Sequence, residues 1–203
     1  MADRARRAVL HAVAAAVKDR PLPPPPAPRP PSPALTLADF AERFMHTLMV
    51  DGGVHGTLQV VRGVEEAGEA VSGIVGGRPV VAWPSELTGR VAEARQWAEA
   101  HCLSEGVGIV EALALVAETG SLLLALTEET TPWSTALLPP VQIALARASS
   151  LVSSLEEGLW RASEAGAPHV ILVAGPSRTA DVEKTLVVPA HGPRELHLVV
   201  LLD

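Results

Sequence analysis

Apolar residues recur at every fourth position after Thr36, at Phe40, Phe44 and Leu48, with Met49 beside them. That spacing is the stripe of a helix with one buried face, and Thr36 stands where an N-cap hydroxyl belongs. Beyond Asp51-Gly52-Gly53 the period shortens, and Thr57 to Val61 reads as a strand. Glu65 to Ile74 reads as a helix, Gly76-Gly77 as a turn, and Pro79 to Trp83 as a short buried strand. Arg90 to His101 is expected to be helical and Val107 to Val110 extended. Strands alternating with helices predict an α/β fold on a largely parallel sheet.

The pattern then changes. Ala114 to Ala117 and Ser121 to Ala125 are two apolar runs around Glu118-Thr119-Gly120. Such runs about a tight glycine-bearing turn predict a hairpin inserted in the α/β pattern. Residues 126–140 read as a loop carrying Trp133 and ending in Pro139-Pro140. Val141 to Ala146 is a predicted strand. Ser154 to Ala165 is a predicted helix with Leu155, Leu159 and Ala162 on one face. His169 to Ala174 is expected to be a buried strand, and Glu195 to Leu202 the last one.

The N-terminal region breaks from this pattern. Arg4, Arg6 and Arg7 precede an alanine-rich run from Ala8 to Val17 that His11 interrupts and Lys18-Asp19-Arg20 ends. The run lacks the cleavage site of a signal peptide and reads as an amphipathic helix over residues 1–20. Residues 21–34 are rich in proline, which fixes φ and removes backbone donors, so they read as a stiff linker. The folded body is expected over residues 35–203.

Composition narrows the function classes. Of the 203 residues 48% are hydrophobic, enough for a full core, but only 3% are aromatic, so Leu, Val, Ala and Ile must fill it. Sixteen Lys and Arg against 23 Asp and Glu give a net charge of −7, which argues against a nucleic-acid partner. No apolar stretch approaches the ~20 residues that cross a bilayer, so no membrane span is expected. The single cysteine, Cys102, rules out an intramolecular disulfide and a four-thiolate iron–sulfur cluster made by this chain alone. Its expected role is that of a small buried apolar residue. The seven histidines show no paired metal-ligand spacing, and no metal site is expected.

Candidate chemistry concentrates near the C-terminus. Gly175-Pro176-Ser177-Arg178-Thr179-Ala180-Asp181 follows a predicted strand and precedes a predicted helical turn. Ligands of open parallel sheets bind beyond the carboxyl ends of strands, and helix starts offer unpaired N–H groups. Ser177 and Thr179 add hydroxyls, and Arg178 adds a planar fork suited to carboxylate or phosphate. The stretch reads either as an anion cradle or as a capped loop. It is neither a Walker motif nor a dinucleotide fingerprint. His191, in the rigid Ala190-His191-Gly192-Pro193 turn, is a candidate acid–base residue or a structural turn histidine. Glu118, in the hairpin turn, is a candidate nucleophile or base, or a solvated charge.

Several motifs together resemble the LUD (lactate-utilization) family. Gly175 to Glu183, Thr185-Leu186-Val187 and His191-Gly192-Pro193-Arg194-Glu195-Leu196-His197 resemble its C-terminal signature. Ala117-Glu118-Thr119-Gly120-Ser121-Leu122 and Leu137 to Ile143 resemble its central motifs. The resemblance runs from about residue 36 to 203, and the helical leader is similar to that of the short C-type subunit. It implies a three-layer, mostly parallel α/β fold like that of the sugar-isomerase and CoA-transferase superfamily. It also implies a cytoplasmic role in oxidising lactate to pyruvate through a multi-subunit iron–sulfur system. B-type relatives carry cysteine clusters after the domain. This chain has none, so the resemblance implies a cofactor-free component whose clusters sit in partner subunits. Val188-Pro189-Ala190 stands where the family has a glycine-containing approach to the His-Gly-Pro turn, which bears on the aim of His191.

Three readings therefore stand side by side. One is an accessory subunit that binds a small carboxylate or phosphate or docks iron–sulfur partners, with homo-oligomerisation left open. Another is a free-standing enzyme like a CoA-transferase or sugar-phosphate isomerase using Glu118. The third is a scaffold without a working site.

Overall fold

The computed structural model describes residues 6–9, 11–12, 33–50, 53–82, 85–93, 106–126, 134–175, 179–180, 186–187 and 192–202. The chain divides into two units, Met1–Pro31 and Ser32–Asp203. In the first unit residues 6–9 and 11–12 are helical and exposed. The rest of the expected arm and most of the proline-rich linker lie outside the described residues.

The second unit is a layered α/β fold. Five parallel strands form the main sheet: β1 (Gly56–Arg62), β2 (Val80–Ala82), β3 (Val107–Glu111), β6 (Val141–Arg147) and β9 (Glu195–Leu202), in spatial order β1-β9-β6-β3-β2. A second, four-stranded sheet holds β4 (Ala114–Val116), β5 (Ser121–Leu126), β7 (Leu151–Val152) and β8 (His169–Val173), in order β8-β5-β4-β7. The expected hairpin is thus present as β4 and β5, antiparallel with Val116 opposite Ser121. It builds a separate sheet rather than an insertion in the first. Two-residue ribbons pair Met49–Val50 with Gly53–Val54 and Thr179–Ala180 with Leu186–Val187.

Helix α1 (Leu37–Thr47) begins in a capping box. The Thr36 hydroxyl accepts from Asp39 N at 3.2 Å, and the Asp39 carboxylate accepts from Thr36 N at 2.7 Å. The Thr36 hydroxyl also donates to the Asp39 carboxylate at 2.6 Å, and this bond, followed by the one from Thr36 N, holds the Asp39 carboxyl below the usual carboxylate range. Phe40 and Phe44, fully buried, stack with ring centroids 5.6 Å apart. They lie with Leu122 and Leu124 of β5 and Leu196, Leu198 and Val200 of β9 in the core between the two sheets. The opposite face of the parallel sheet is covered by α2 (Gly63–Val75) and α3 (Glu86–Glu93), through Ala67, Val71, Leu87 and Val91 against Ile109, Ile143, Leu145 and Val199. Short α4 (Ser134–Leu137) leads into β6, and α5 (Leu155–Glu164) covers the outer face of the second sheet.

Three expectations need correction. Helix α3 starts at Glu86, not Arg90, because Ser85 and Thr88 cap it reciprocally: Ser85 N donates to Thr88 Oγ1 at 2.9 Å and Thr88 N to Ser85 Oγ at 3.1 Å. The expected extension through 94–101 lies outside the described residues. In α5 the buried positions are Gly158 and Ala162, and Leu159 is 44% exposed. Glycine lets the helix axis approach Leu123, Val116 and Val152, which turns Leu159 to the flank. Strand β8 is not buried: Val170 and Leu172 are 38% and 44% exposed. It is the edge of the second sheet, and only Ile171 and Val173 pack on the inner core. No helix among the described residues is long and apolar enough to cross a membrane.

Candidate functional site

The sequence candidates fall at two neighbouring turns and a set of positions beyond them. Ser177, Arg178, Asp181 and His191 lie outside the described residues. Gly175 and Glu118 are described, and of Thr179 only its place in the ribbon with Leu186–Val187.

Gly175 follows β8 with φ +94°, a backbone conformation that favours glycine. A Cβ there would lie 2.5 Å from Thr47 O. The loop therefore leaves β8 pressed against the C-terminal end of α1, where only hydrogen fits. The structure changes the setting of this loop in one respect. The preceding strand belongs to the second sheet and runs antiparallel to β5, so the rule for carboxyl ends of parallel strands does not reach it. Thr179–Ala180 is extended, and the helical turn expected after Asp181 lies outside the described residues. Extended chain there pairs the Thr179–Ala180 backbone with Leu186–Val187.

Glu118 has a defined task. Its carboxylate Oε1 accepts from Leu155 N at 2.7 Å, at the first turn of α5. Its own N–H donates to Ser153 O at 3.1 Å. A carboxylate at a helix N-terminus meets unpaired amides and the positive end of the dipole. Ser154 completes the cap by accepting from Glu157 N at 3.3 Å, and Glu157 accepts in turn from Ser153 N at 3.1 Å. The turn is pinned from the other side by Arg43, whose Nη1 donates to Ala117 O at 3.0 Å. Gly120, with φ +65°, lies so close to α1 that a Cβ would sit 2.5 Å from Arg43 C and Phe44 N. Thr119 and Ser121 share a short hydroxyl contact. The Glu118 turn thus locks α1, the hairpin and α5 together.

A further polar cluster escaped the sequence reading. On β9 the His197 ring is buried, with Nδ1 2.9 Å from Thr57 Oγ1 on β1 and Nε2 3.3 Å from Glu195 Oε2. When Nε2 carries the proton and donates to Glu195, Nδ1 accepts from the Thr57 hydroxyl. Burial pushes the imidazole below its ordinary value; the Glu195 carboxylate opposes this and the Arg78 charge adds to it. The signal was available in part: Glu195 and His197 share a strand face by alternation. Thr57 is 140 positions away, and only the β1–β9 register, with His197 opposite Thr57, unites them. Nearby, Gln142 is buried and donates from Nε2 to Gly108 O at 3.1 Å. Among the described residues no group of three or more His, Cys, Asp or Glu side chains is gathered for a metal ion.

These features define an α/β protein with one parallel and one mixed sheet, whose motif-bearing turns flank the second sheet and α1. The LUD domain family matches residues 64–201, and the chain belongs to that family. It is 37% identical over 90 residues to uncharacterized protein NMB1437 of Neisseria meningitidis serogroup B (strain ATCC BAA-335 / MC58). That match covers 43% of this chain and 38% of the relative, so it spans well under half of the relative's length. The fold is similar to the crystal structure of a DUF162 family protein from Deinococcus radiodurans. The TM-score is 0.57 at 19% identity, over 83% of this chain and 99% of the other.

Proposed function

We propose that this chain is an accessory, non-redox subunit of an iron–sulfur system that oxidises lactate to pyruvate in the cytoplasm. In this reading it binds a small anion at the Gly175–Asp181 loop or docks the cluster-bearing subunits. What carries the proposal is a LUD domain over residues 64–201 in a chain whose single cysteine cannot ligate a cluster alone. The Glu118 geometry supports it: one oxygen of this carboxylate caps α5, which gives the side chain a structural task that needs no catalysis. That weighs against the alternative, a free-standing CoA-transferase-like or sugar-phosphate-isomerase-like enzyme using Glu118, with His191 as its acid–base partner.

In this proposal Ser177, Arg178 and Thr179 hold the anion, Asp181 orients the loop and His191 faces it. A charge-assisted contact is worth roughly 1.5–3 kcal/mol, so Arg178→Ala weakens binding at least about tenfold. Arg178→Lys recovers part of the loss, since lysine keeps the charge and loses the fork. Calorimetric titration of wild type and both variants with lactate, pyruvate, phosphate and acyl-CoA tests this. Equal binding by all three chains refutes the assignment of Arg178. Turnover of an acyl-CoA by the isolated chain, abolished in Glu118→Gln, would instead establish the enzyme reading.

A further inference from the structure

The Thr57, His197 and Glu195 side chains have the three members of a base-activated hydroxyl: nucleophile, base and a group that orients the base. Thr57 is exposed on β1, and its Oγ1 lies 2.9 Å from Nδ1 of the buried His197 ring. Nε2 of the same ring lies 3.3 Å from Glu195 Oε2. With the proton on Nε2, the carboxylate fixes the tautomer and the Nδ1 lone pair meets the hydroxyl. By contrast, Ser150 Oγ donates to Arg147 O, and a carbonyl is no base. The backbone holds this geometry. The parallel register sets His197 opposite Thr57. At Gly56, with φ +148°, a Cβ would run into Leu196 O, so the two strands are in backbone contact just before Thr57. Leu196 N donates to His55 O at 3.0 Å, and Arg194 N and Glu195 N both donate to Pro140 O, at 2.8 and 3.1 Å. Burial lowers the imidazole pKa against the pull of Glu195, and the charge of Arg78, tied to Val75 O and Ile74 O at the end of α2, adds to the lowering. The ring is therefore a free base at neutral pH.

We propose that Thr57 is a self-acylating residue that takes an acyl group from a thioester or aryl ester, with His197 as general base and Glu195 as a positioning residue. Thr57 Oγ1 forms the new bond to the acyl carbon while its proton passes to His197 Nδ1. The bond from the acyl carbon to sulfur or aryl oxygen breaks, and the thiolate or phenolate leaves with that proton. Donors of this class fit because the hydroxyl is open to solvent and their leaving groups depart without a separate acid. The product is a secondary alkyl ester, less activated than its donor, so the acyl group stays. Acylation is thus stoichiometric, and it stands whether or not the chain serves as an accessory subunit.

Incubation of the full chain, in a Cys102→Ala background that removes the competing thiol, with p-nitrophenyl acetate and separately with acetyl-CoA tests this. Peptide mapping by mass spectrometry is expected to find an acetyl group on Thr57. The rate of its appearance rises with pH up to the His197 pKa, below the ordinary 6.5, and then levels. His197→Gln slows it at least about tenfold, with circular dichroism to check that the variant stays folded. Glu195→Gln moves the rise to lower pH, since the carboxylate that raises the imidazole pKa is gone. Thr57→Ser, at an exposed position, keeps the reaction and gives a second reading should His197→Gln unfold. Absence of acetyl at residue 57 with both donors in wild type and Thr57→Ser overturns the proposal. So does a rate that climbs with hydroxide and never levels, or a folded His197→Gln chain that acetylates as fast as wild type.

Discussion

Among the described residues, Glu118 and His197 are ionisable side chains whose partners define a role. Glu118 holds Leu155 N through one carboxylate oxygen. Glu118→Gln keeps an acceptor there and is expected to leave the melting temperature nearly unchanged. Glu118→Ala strips the cap and costs about 1 kcal/mol, read by thermal unfolding. Equal stability in all three chains would remove the capping role. His197 titrates below its unfolded value of 6.5. Between the two values the unfolded chain binds the extra proton, so this histidine's contribution is complete above about pH 6.5 and is lost as pH falls through the window. Arg78 and Glu195 set its size from either side. Denaturant melts of wild type and His197→Leu from pH 7.5 to pH 5 are expected to show a shallower acid-side loss in the variant; parallel curves would contradict it. At this scale the sequence was partly legible. Glu118 stood out between two apolar runs, but its partner, Leu155, is 37 positions on. His197 lacked any local partner motif, because its hydroxyl comes from a strand at the other end of the chain.

Elements were the most legible level, because helix and strand periods and caps are local. Thr36 and the Phe40–Phe44 spacing announced α1, and Gly76-Gly77 closed α2. The errors came where a small residue or an edge intervened. Gly158 displaced Leu159 from the buried face of α5. An all-apolar run in β8 passed for a buried strand because composition does not tell an edge from a centre. The pairing of Thr179 with Val187 was not legible, since no local pattern announces a partner further along the chain. The contact of α1 with the Glu118 turn yields a prediction at this scale. Phe44→Ala empties a fully buried site between the two sheets and is expected to cost about 3–5 kcal/mol. Gly120→Ala forces a Cβ against the α1 backbone and is also expected to lower stability strongly. Chemical denaturation of both variants measures this, and a loss below about 1 kcal/mol in either would mean the packing of α1 on the turn is loose.

For the whole molecule, alternation of elements sufficed to give an α/β fold with a parallel sheet, and the family motifs added its layering. The strand order β1-β9-β6-β3-β2 was not legible, since nothing local says that the final strand enters between β1 and β6. Nor was the division of strands between two sheets, which depends on Ala112 N reaching Leu145 O in one sheet and Leu113 N reaching Leu123 O in the other. The functional account rests on this scale too: a LUD domain that carries the family's turns and has one cysteine is proposed to act with partners that carry the clusters. Affinity purification of the tagged full-length chain from lactate-grown cells, with iron and acid-labile sulfide assayed in the eluate, tests that most directly. The account predicts cysteine-cluster subunits and their iron in stoichiometric amounts with the chain, and lactate-dependent dye reduction by the complex. A chain recovered alone that turns over its own substrate would contradict it.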